Sequence, residues 1–403
     1  MKRFISIMLA ISLIFVVAYA DTDEKDEKTY INIGLYYGNS AKTSVEITCD
    51  EETKTVNAED IENSEEFESD NEIVSVNGTK YRGSIVVNKN SSGLLTVINR
   101  VDIEDYVASV IASEMSPSFN VEALKAQAVC ARTYALRNKG KHSAYGFDLC
   151  TSTDCQTYKG ISGESEKCTR ATEETKGVVM TYKGAYVEAV YSATSGGYTE
   201  DVENVWGSDI PYLKAVEDTY ESKSVYGSTW EKELTADEVT KLMNDRGYNI
   251  GNVTDIQVVS TSEHGAVLEL KIVGTNGEKV FKKESCRWAL NTNSQAYTVT
   301  PQYAEKKKLQ SLFAYGGRAL PKKVTVITAK GKSTVSLEGL FIKGSTQIQF
   351  DSQTDGVPTT YKLEGRGYGH LVGMSQNGAN GMAEAGFDYE EILKHYYKGI
   401  DIN

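Results

Sequence analysis

Positive charge is in short supply in this chain. Its 403 residues hold 43 lysines and arginines against 56 aspartates and glutamates, a formal net charge of −13. That balance argues against nucleic acid and anionic membrane surfaces as main partners. Long apolar runs are missing beyond the first 20 residues, so no later segment is fit to span a bilayer. No HExxH pattern occurs, which makes a zinc-dependent hydrolase of that helix-borne kind a poor fit. Proline is scarce, five residues against 25 tyrosines. Tyrosine in such number mostly fills strands and half-buried surfaces, and a minority can stack on sugar rings.

The first 20 residues have the layout of an export signal. Lys2 and Arg3 make the positive end, Phe4 to Val17 the apolar run, and Ala18-Tyr19-Ala20 a small-x-small cleavage site. The chain is therefore expected to be exported, with this segment either removed or kept as an N-terminal anchor. Residues 21–72 read as a linker and an acidic N-terminal region: Asp21 to Lys28 as a disordered linker, Tyr30 to Thr48 as strands, and Asp50 to Glu72 as a solvated or loosely ordered surface. Residues 73–215 read as one lobe, with Asn77-Gly78 and Lys183-Gly184 as hairpin turns. Residues 216–309 read as an inserted α+β lobe, with a helix near Ala236 to Arg246 and a turn at Asn276-Gly277. Residues 310–403 return to complete the first lobe and end on a helix from Tyr389 to Tyr397.

The stretch from Val101 to Tyr134 predicts two helices joined at a break. Tyr106, Val107, Val110 and Ile111 fall on one face of the first, from Asp105 to Met115. Ser116-Pro117 ends it, because proline cannot continue the hydrogen-bond ladder. Asn120 suits the N-cap of a second helix over Val121 to Arg137. Glu114 lies in the last turn of the first helix, where the dipole favours cations. Apolar surroundings there would raise its pKa and make it a proton donor; the plainer reading is a solvated helix-end glutamate. Gln127 and Arg132 on the second helix are candidates to orient Glu114 or bind substrate, or else are structural.

Six cysteines are scattered along the chain, at 49, 130, 150, 155, 168 and 286. Only Cys150 and Cys155 lie close together, and His142 precedes them. These three could hold Zn²⁺; a disulfide and free thiols are the other two readings, and all three stay open. Two further segments suit carbohydrate. The loop Ser192 to Tyr198, SATSGGY, carries Ser195, Gly196, Gly197 and Tyr198, whose small residues let a ligand approach the backbone. The run Glu364 to Ala383, EGRGYGHLVGMSQNGANGMA, holds Arg366, His370, Gln376, Asn377 and Asn380 among glycines. Its His370 either positions substrate or bonds the backbone. Tyr198 and Trp206 are candidates for stacking on sugar, or core aromatics.

The segments VDIEDYVASVIASEM, ALKAQAVCARTYAL, YSATSGGYTEDVENVWG and GRGYGHLVGMSQNGANGMA, in that order, resemble the SpoIID/LytB family. The resemblance runs from about Val101 to the end. It implies an α+β fold of two lobes with a substrate cleft between them, lined by the helix pair, the SGGY loop and the glycine-rich run. It implies a lytic transglycosylase that cuts peptide-stripped peptidoglycan glycan strands in engulfment during sporulation, with Glu114 as the catalytic residue. The substrate contacts would come from Gln127, Arg132, Ser195, Gly196, Gly197, Tyr198, Arg366, His370 and Gln376. It also implies an extracytoplasmic location facing the wall and an amidase-endopeptidase partner. Some relatives are described as amidase enhancers, so a glycan-binding enhancer without chemistry is the alternative. A structural zinc on His142, Cys150 and Cys155 is a further implication. Two departures stand out: Asp154 where relatives carry a histidine, and Gly369-His370-Leu371 where they carry Gly-His-Gly.

Overall fold

In the computed structural model, residues 28–303, 323–328, 331–336 and 357–403 are described. The expected export segment, the linker after it as far as residue 27, and most of residues 310–356 lie outside the described residues. The fold begins with two antiparallel-rich sheets sharing one apolar core. The first has the strand order Ser64–Phe67, Ser84–Lys89, Leu95–Asp102, Tyr30–Tyr36 and Leu149–Cys150. The second runs Glu52–Asn57, Ser44–Cys49, Ile73–Val76 and Thr79–Arg82. Period-two alternation puts Val45, Ile47 and Val74 of the second sheet against Ile85, Val87 and Val97 of the first. Asn77 and Gly78 both take positive φ, 49° and 83°, as a two-residue type I′ turn needs.

The acidic stretch is not loosely ordered. Glu52–Asn57 and Ser64–Phe67 are paired strands whose charges mostly face water. Val56, Ala58 and Ile61 are buried beneath them, and those few apolar side chains anchor a segment whose composition alone reads as surface.

The strand Leu95–Asp102 runs directly into helix α1 (Ile103–Glu114), whose N-cap Asp102 accepts the Glu104 N–H at 2.9 Å. Helix α2 (Val121–Arg137) starts at the predicted cap, Asn120, which accepts the Glu122 N–H at 3.0 Å. Twelve residues of α2 are buried, because α1, α3 (Glu166–Glu173) and two C-terminal helices surround it. The strand Met180–Tyr182 turns through Lys183 and Gly184 (φ 53° and 81°) into Ala185–Tyr186. Tyr191–Ser192 then pairs in parallel with Met374–Ser375, and the short helix α4 (Val202–Val205) follows.

A second core cluster gathers residues from Leu234 to Leu363. Strand Thr229–Thr235 leads into α5 (Ala236–Asp245), which a Thr235/Glu238 capping box starts. The strands Val253–Thr261, Val267–Gly274 and Gly277–Lys282 form a meander. Its second turn sits one residue earlier than expected, on Thr275-Asn276, because Gly274 pairs with Gly277. After α6 (Ser285–Leu290), Tyr297–Gln302 and Thr360–Arg366 complete a three-stranded sheet with Thr229–Thr235. The segments 323–328 and 331–336 pair as a separate hairpin. The C-terminal run thus passes from this second core to the main one, on which α7 (Gln376–Glu384) and α8 (Tyr389–Tyr396) pack. Among the described residues no helix is long and apolar enough to cross a membrane.

Candidate functional site

Glu114 closes α1, where the helix ends and Met115 turns extended. Its carboxylate is half-buried. Oε1 accepts the Thr157 backbone N–H at 2.7 Å, which holds the group in one orientation. Tyr191 lies beside it: burial first, then the Glu114 charge, holds the Tyr191 phenol well above its usual pKa. Gln156 ties the surroundings together, accepting from the Tyr106 hydroxyl at 3.2 Å and donating to the Tyr191 hydroxyl at 3.1 Å. Glu114 is thus held by the Thr157 amide of a loop that Gln156 ties in turn to Tyr191, from a different part of the chain.

The SGGY loop and the glycine-rich run come together on that strand. Thr194 bridges to Tyr368. A Cβ on Gly196 would lie 2.6 Å from the Gly367 nitrogen and 2.7 Å from the Ser228 oxygen, so only glycine allows this backbone approach. The glycine therefore brings backbone to backbone, where the sequence suggested backbone to ligand. Ser195 is fully buried. Its hydroxyl donates to Asp218 at 2.9 Å. Glu221 receives Thr194 Oγ1, the Ser195 N–H (2.8 Å), the Gly196 N–H (3.0 Å) and Ser375 Oγ (2.9 Å). Burial, with the Glu221 charge also contributing, raises Asp218 to about 6.

Arg366 clasps the same loop, donating to the carbonyls of Ser195, Tyr198 (2.8 Å) and His264. Burial lowers its pKa. Tyr198 stays exposed, but its ring lies flat on His264, centroids 4.9 Å apart and planes 8° from parallel. The His370 ring accepts the Val372 N–H at 3.0 Å through Nδ1 and also hydrogen-bonds the Tyr191 backbone. Burial, then Arg287, depresses it to about 4, so it is neutral at pH 7. That is the backbone-bonding role. At the departure noted above, Leu371 takes φ 66°, a region where a leucine is strained by roughly 1–2 kcal/mol and glycine is not.

Three predicted substrate contacts face inward. Gln127 and Gln376 are buried and bonded to each other, Gln376 Nε2 donating to Gln127 Oε1 at 3.3 Å between α2 and α7. Arg132 is 1% exposed. It grips Glu104 through Nε at 2.9 Å and Nη2 at 2.5 Å, and donates to the carbonyls of Val178 and Thr172. With α2 enclosed on most sides, Arg132 and Gln376 bond within the core, while Gln127 Nε2 is buried without a hydrogen-bond partner.

His142, Cys150 and Cys155 do converge, and Asp154 joins them: one donor atom from each lies within 4.8 Å of the others. His142 Nε2 is 3.3 Å from Cys155 Sγ and 3.2 Å from Asp154 Oδ2. Donors bound tetrahedrally at zinc distances sit about 3.5 Å apart, so the set fits Zn²⁺, with Asp154 as fourth ligand. Without a metal the thiols interact strongly: the hydrogen bond from Cys155 draws Cys150 down to about 4, and the same bond, with burial, pushes Cys155 up. All six cysteines are free thiols.

A family model for the stage II sporulation protein, SpoIID, matches residues 91–182. Stage II sporulation protein D of Bacillus subtilis (strain 168) is 30% identical over 321 residues, covering 76% of each chain. The chain belongs to the SpoIID family. An amidase enhancer from the same strain is 31% identical over 294 residues, 73% of this chain and 39% of that one, so this SpoIID chain spans about two fifths of that relative. An uncharacterized protein of Brachyspira hyodysenteriae (strain ATCC 49526 / WA1) is 29% identical over 328 residues, 81% of this chain and 73% of the other. Residues 219–318 match a domain of unknown function, DUF8618.

Sequence reasoning missed the groups that build this SpoIID site from within. Asp218 and Glu221 hold the SGGY loop, and Gln156, Thr157 and Tyr191 hold Glu114. The signal for the first pair was an acidic D-x-x-E just after the loop; for the second set there was none, since backbone amides and buried tyrosines carry no motif.

Proposed function

We propose that the chain is a peptidoglycan lytic transglycosylase acting in sporulation-linked remodelling of the cell wall, with Glu114 as its acid and base. The observation that carries this reading is the single amide contact on Glu114: one carboxylate oxygen is pinned by Thr157, and the other is left for a proton. Most glycosidases need a second carboxylate. Here the C6 hydroxyl of the muramoyl sugar is the nucleophile. Its oxygen bonds to C1 as the bond from C1 to the bridging oxygen breaks. Glu114 gives its proton to that departing oxygen and then takes the C6 hydroxyl proton, so no water is consumed and the products end in 1,6-anhydromuramic acid. Neutral His370 and half-buried Tyr191 supply a low-polarity wall, and the exposed faces of Tyr198 and Trp206 are left for sugar rings.

His142, Cys150, Asp154 and Cys155 would hold Zn²⁺ as a closed four-donor site, where the metal stiffens structure and supplies no catalytic step. Its loop leads through Gln156 to Thr157, so the site would steady the amide that orients Glu114. Two lobes flanking a substrate cleft, an extracytoplasmic location with a cleaved or retained N-terminal segment, and an amidase partner complete the reading.

A second reading, a glycan-binding enhancer of an amidase, is favoured by the name of one relative and by the inward turn of Gln127, Arg132 and Gln376. Purified protein incubated with intact and peptide-stripped glycan strands separates the two. Anhydro ends by mass spectrometry, absent with Glu114→Gln, support the transglycosylase. Binding without cleavage supports the enhancer, and ¹⁸O uptake from water points to hydrolysis instead.

A further inference from the structure

We infer that Arg287 is the carboxylate-reading residue of an anionic-sugar subsite next to Glu114, and that it takes the free lactyl carboxylate of a peptide-stripped muramoyl unit. The inference rests on the reading that glycan strands are the substrate. Arg287 lies in α6 and is half-buried. Its Nε is shut off from solvent with no hydrogen-bond partner, and among the described residues no carboxylate or carbonyl bonds its guanidinium. Arg132 and Arg366, by contrast, have theirs engaged. The acid that faces Arg287 is Glu284, one turn earlier, and its Oε2 already takes the Trp206 indole N–H at 2.8 Å. Burial lowers the Arg287 pKa, the mark of a cation held short of both water and counter-ion.

What surrounds this cation is aromatic. The Trp288 ring lies 5.1 Å from its guanidinium carbon. Tyr368 and His370 are close enough that their charge states and that of Arg287 bear on one another. Trp206 packs on His370 at 5.0 Å, and Tyr226 on Tyr368 at 5.9 Å. Four of these rings face water: Tyr226 is 84% exposed, Trp288 56%, Trp206 41% and Tyr368 39%. Grouped exposed rings mark a binding surface rather than scatter. Their faces suit sugar rings, and an arginine fork suits a carboxylate bidentately. His370 connects this patch to the chemistry, since its ring also bonds the Tyr191 backbone and Tyr191 lies beside Glu114. A ligand that spans both is a saccharide carrying a carboxylate. A muramoyl unit has that charge only after its stem peptide is removed; amide-linked to the peptide, it is neutral at this position. Arg287 would thereby make the chain select stripped strands.

The full chain carrying Glu114→Gln, which binds without turnover, is titrated with three tetrasaccharides. One alternates N-acetylglucosamine with N-acetylmuramic acid bearing free carboxylates. The second has those carboxylates converted to methylamides, and the third is the N-acetylglucosamine tetramer. The free-carboxylate sugar is expected to bind at least roughly tenfold more tightly than the other two. Adding Arg287→Gln should erase that margin while the N-acetylglucosamine tetramer binds as before, which also reports an intact fold. Arg287→Lys, which keeps the charge but not the fork, should restore part of the margin. Equal affinities for the three sugars, a margin that survives Arg287→Gln, or inorganic phosphate binding as tightly as the free-carboxylate sugar would each overturn the inference. A margin without cleavage by the unsubstituted chain sinks the transglycosylase reading and leaves this one standing; cleavage without a margin does the reverse.

Discussion

Glu114 lies near Tyr191 and Glu221 under the loop that follows the strand Tyr191–Ser192, and their surroundings differ sharply. Glu221 accepts from two backbone amides and from the hydroxyls of Thr194, Ser195 and Ser375. Glu114 accepts one amide, from Thr157, in a half-buried setting. A carboxylate saturated with donors has its oxygens occupied and serves the fold. One that is held by a single bond keeps an oxygen free to exchange a proton. The contrast sets the structural acid apart from the one proposed for the chemistry, without any appeal to position in the chain.

The sharpest way to break that contrast is to substitute both residues. Glu114→Gln should lower glycan cleavage by roughly 10²–10⁴-fold, with the urea midpoint nearly unchanged. Glu221→Gln should do the opposite: it turns an amide N–H₂ toward a nest of donors and should cost about 2–4 kcal/mol of stability, read from urea unfolding, with activity lost only through the fold. Equal stability losses in the two variants would erase the distinction.

Asp218, beside Glu221, gives a pH test of the buried side. Its folded pKa of about 6 lies above the unfolded value of about 3.9. The folded state therefore holds the proton longer, and this group's contribution to stability falls as pH rises from about 4 to about 6, then levels off. Asp218→Asn should remove that fall, a change of about 2–3 kcal/mol across the window, measured by unfolding at several pH values. An unaltered pH profile would mean that the carboxyl is not held in its protonated form. The smallest effect concerns the other glutamate. Chelation of zinc-loaded protein should raise hydrogen exchange at the Thr157 amide by about tenfold, equivalent to about 1.4 kcal/mol, while exchange at the Ser195 amide stays put. Thr157 exchange unaffected by chelator would uncouple the cysteine loop from Glu114.

The helix pair was legible because its signals are local. Four apolar residues mark one face of α1, Pro117 follows its end, and Asn120 caps α2 in the structure as expected. The hairpin turns at Asn77-Gly78 and Lys183-Gly184 were readable for the same reason, since left-handed φ values demand a short residue menu. What failed was long-range. Arg132 reads as a polar helix residue until Glu104, 28 positions earlier, is seen beneath it. Gln127 finds Gln376 across 249 positions. The acidic stretch looked loose because its order depends on Val56, Ala58 and Ile61 meeting a sheet made elsewhere. Convergence of His142, Cys150 and Cys155 was only weakly signalled by spacing and was implied by the resemblance; Asp154, a carboxylate able to bind zinc, joins them in the structure.

The parallel pairing of Tyr191–Ser192 with Met374–Ser375 carries a consequence for biosynthesis. Thr157 and Tyr191, which lie against Glu114, come from nearby stretches of the chain, yet Tyr191 gains its strand partner only from the segment that also carries His370. A chain still being made, or one clipped before residue 370, would own the acid but not the wall behind it. A catalyst of the kind proposed, aimed at the wall of the cell that makes it, would stay incomplete until that segment had joined Tyr191–Ser192.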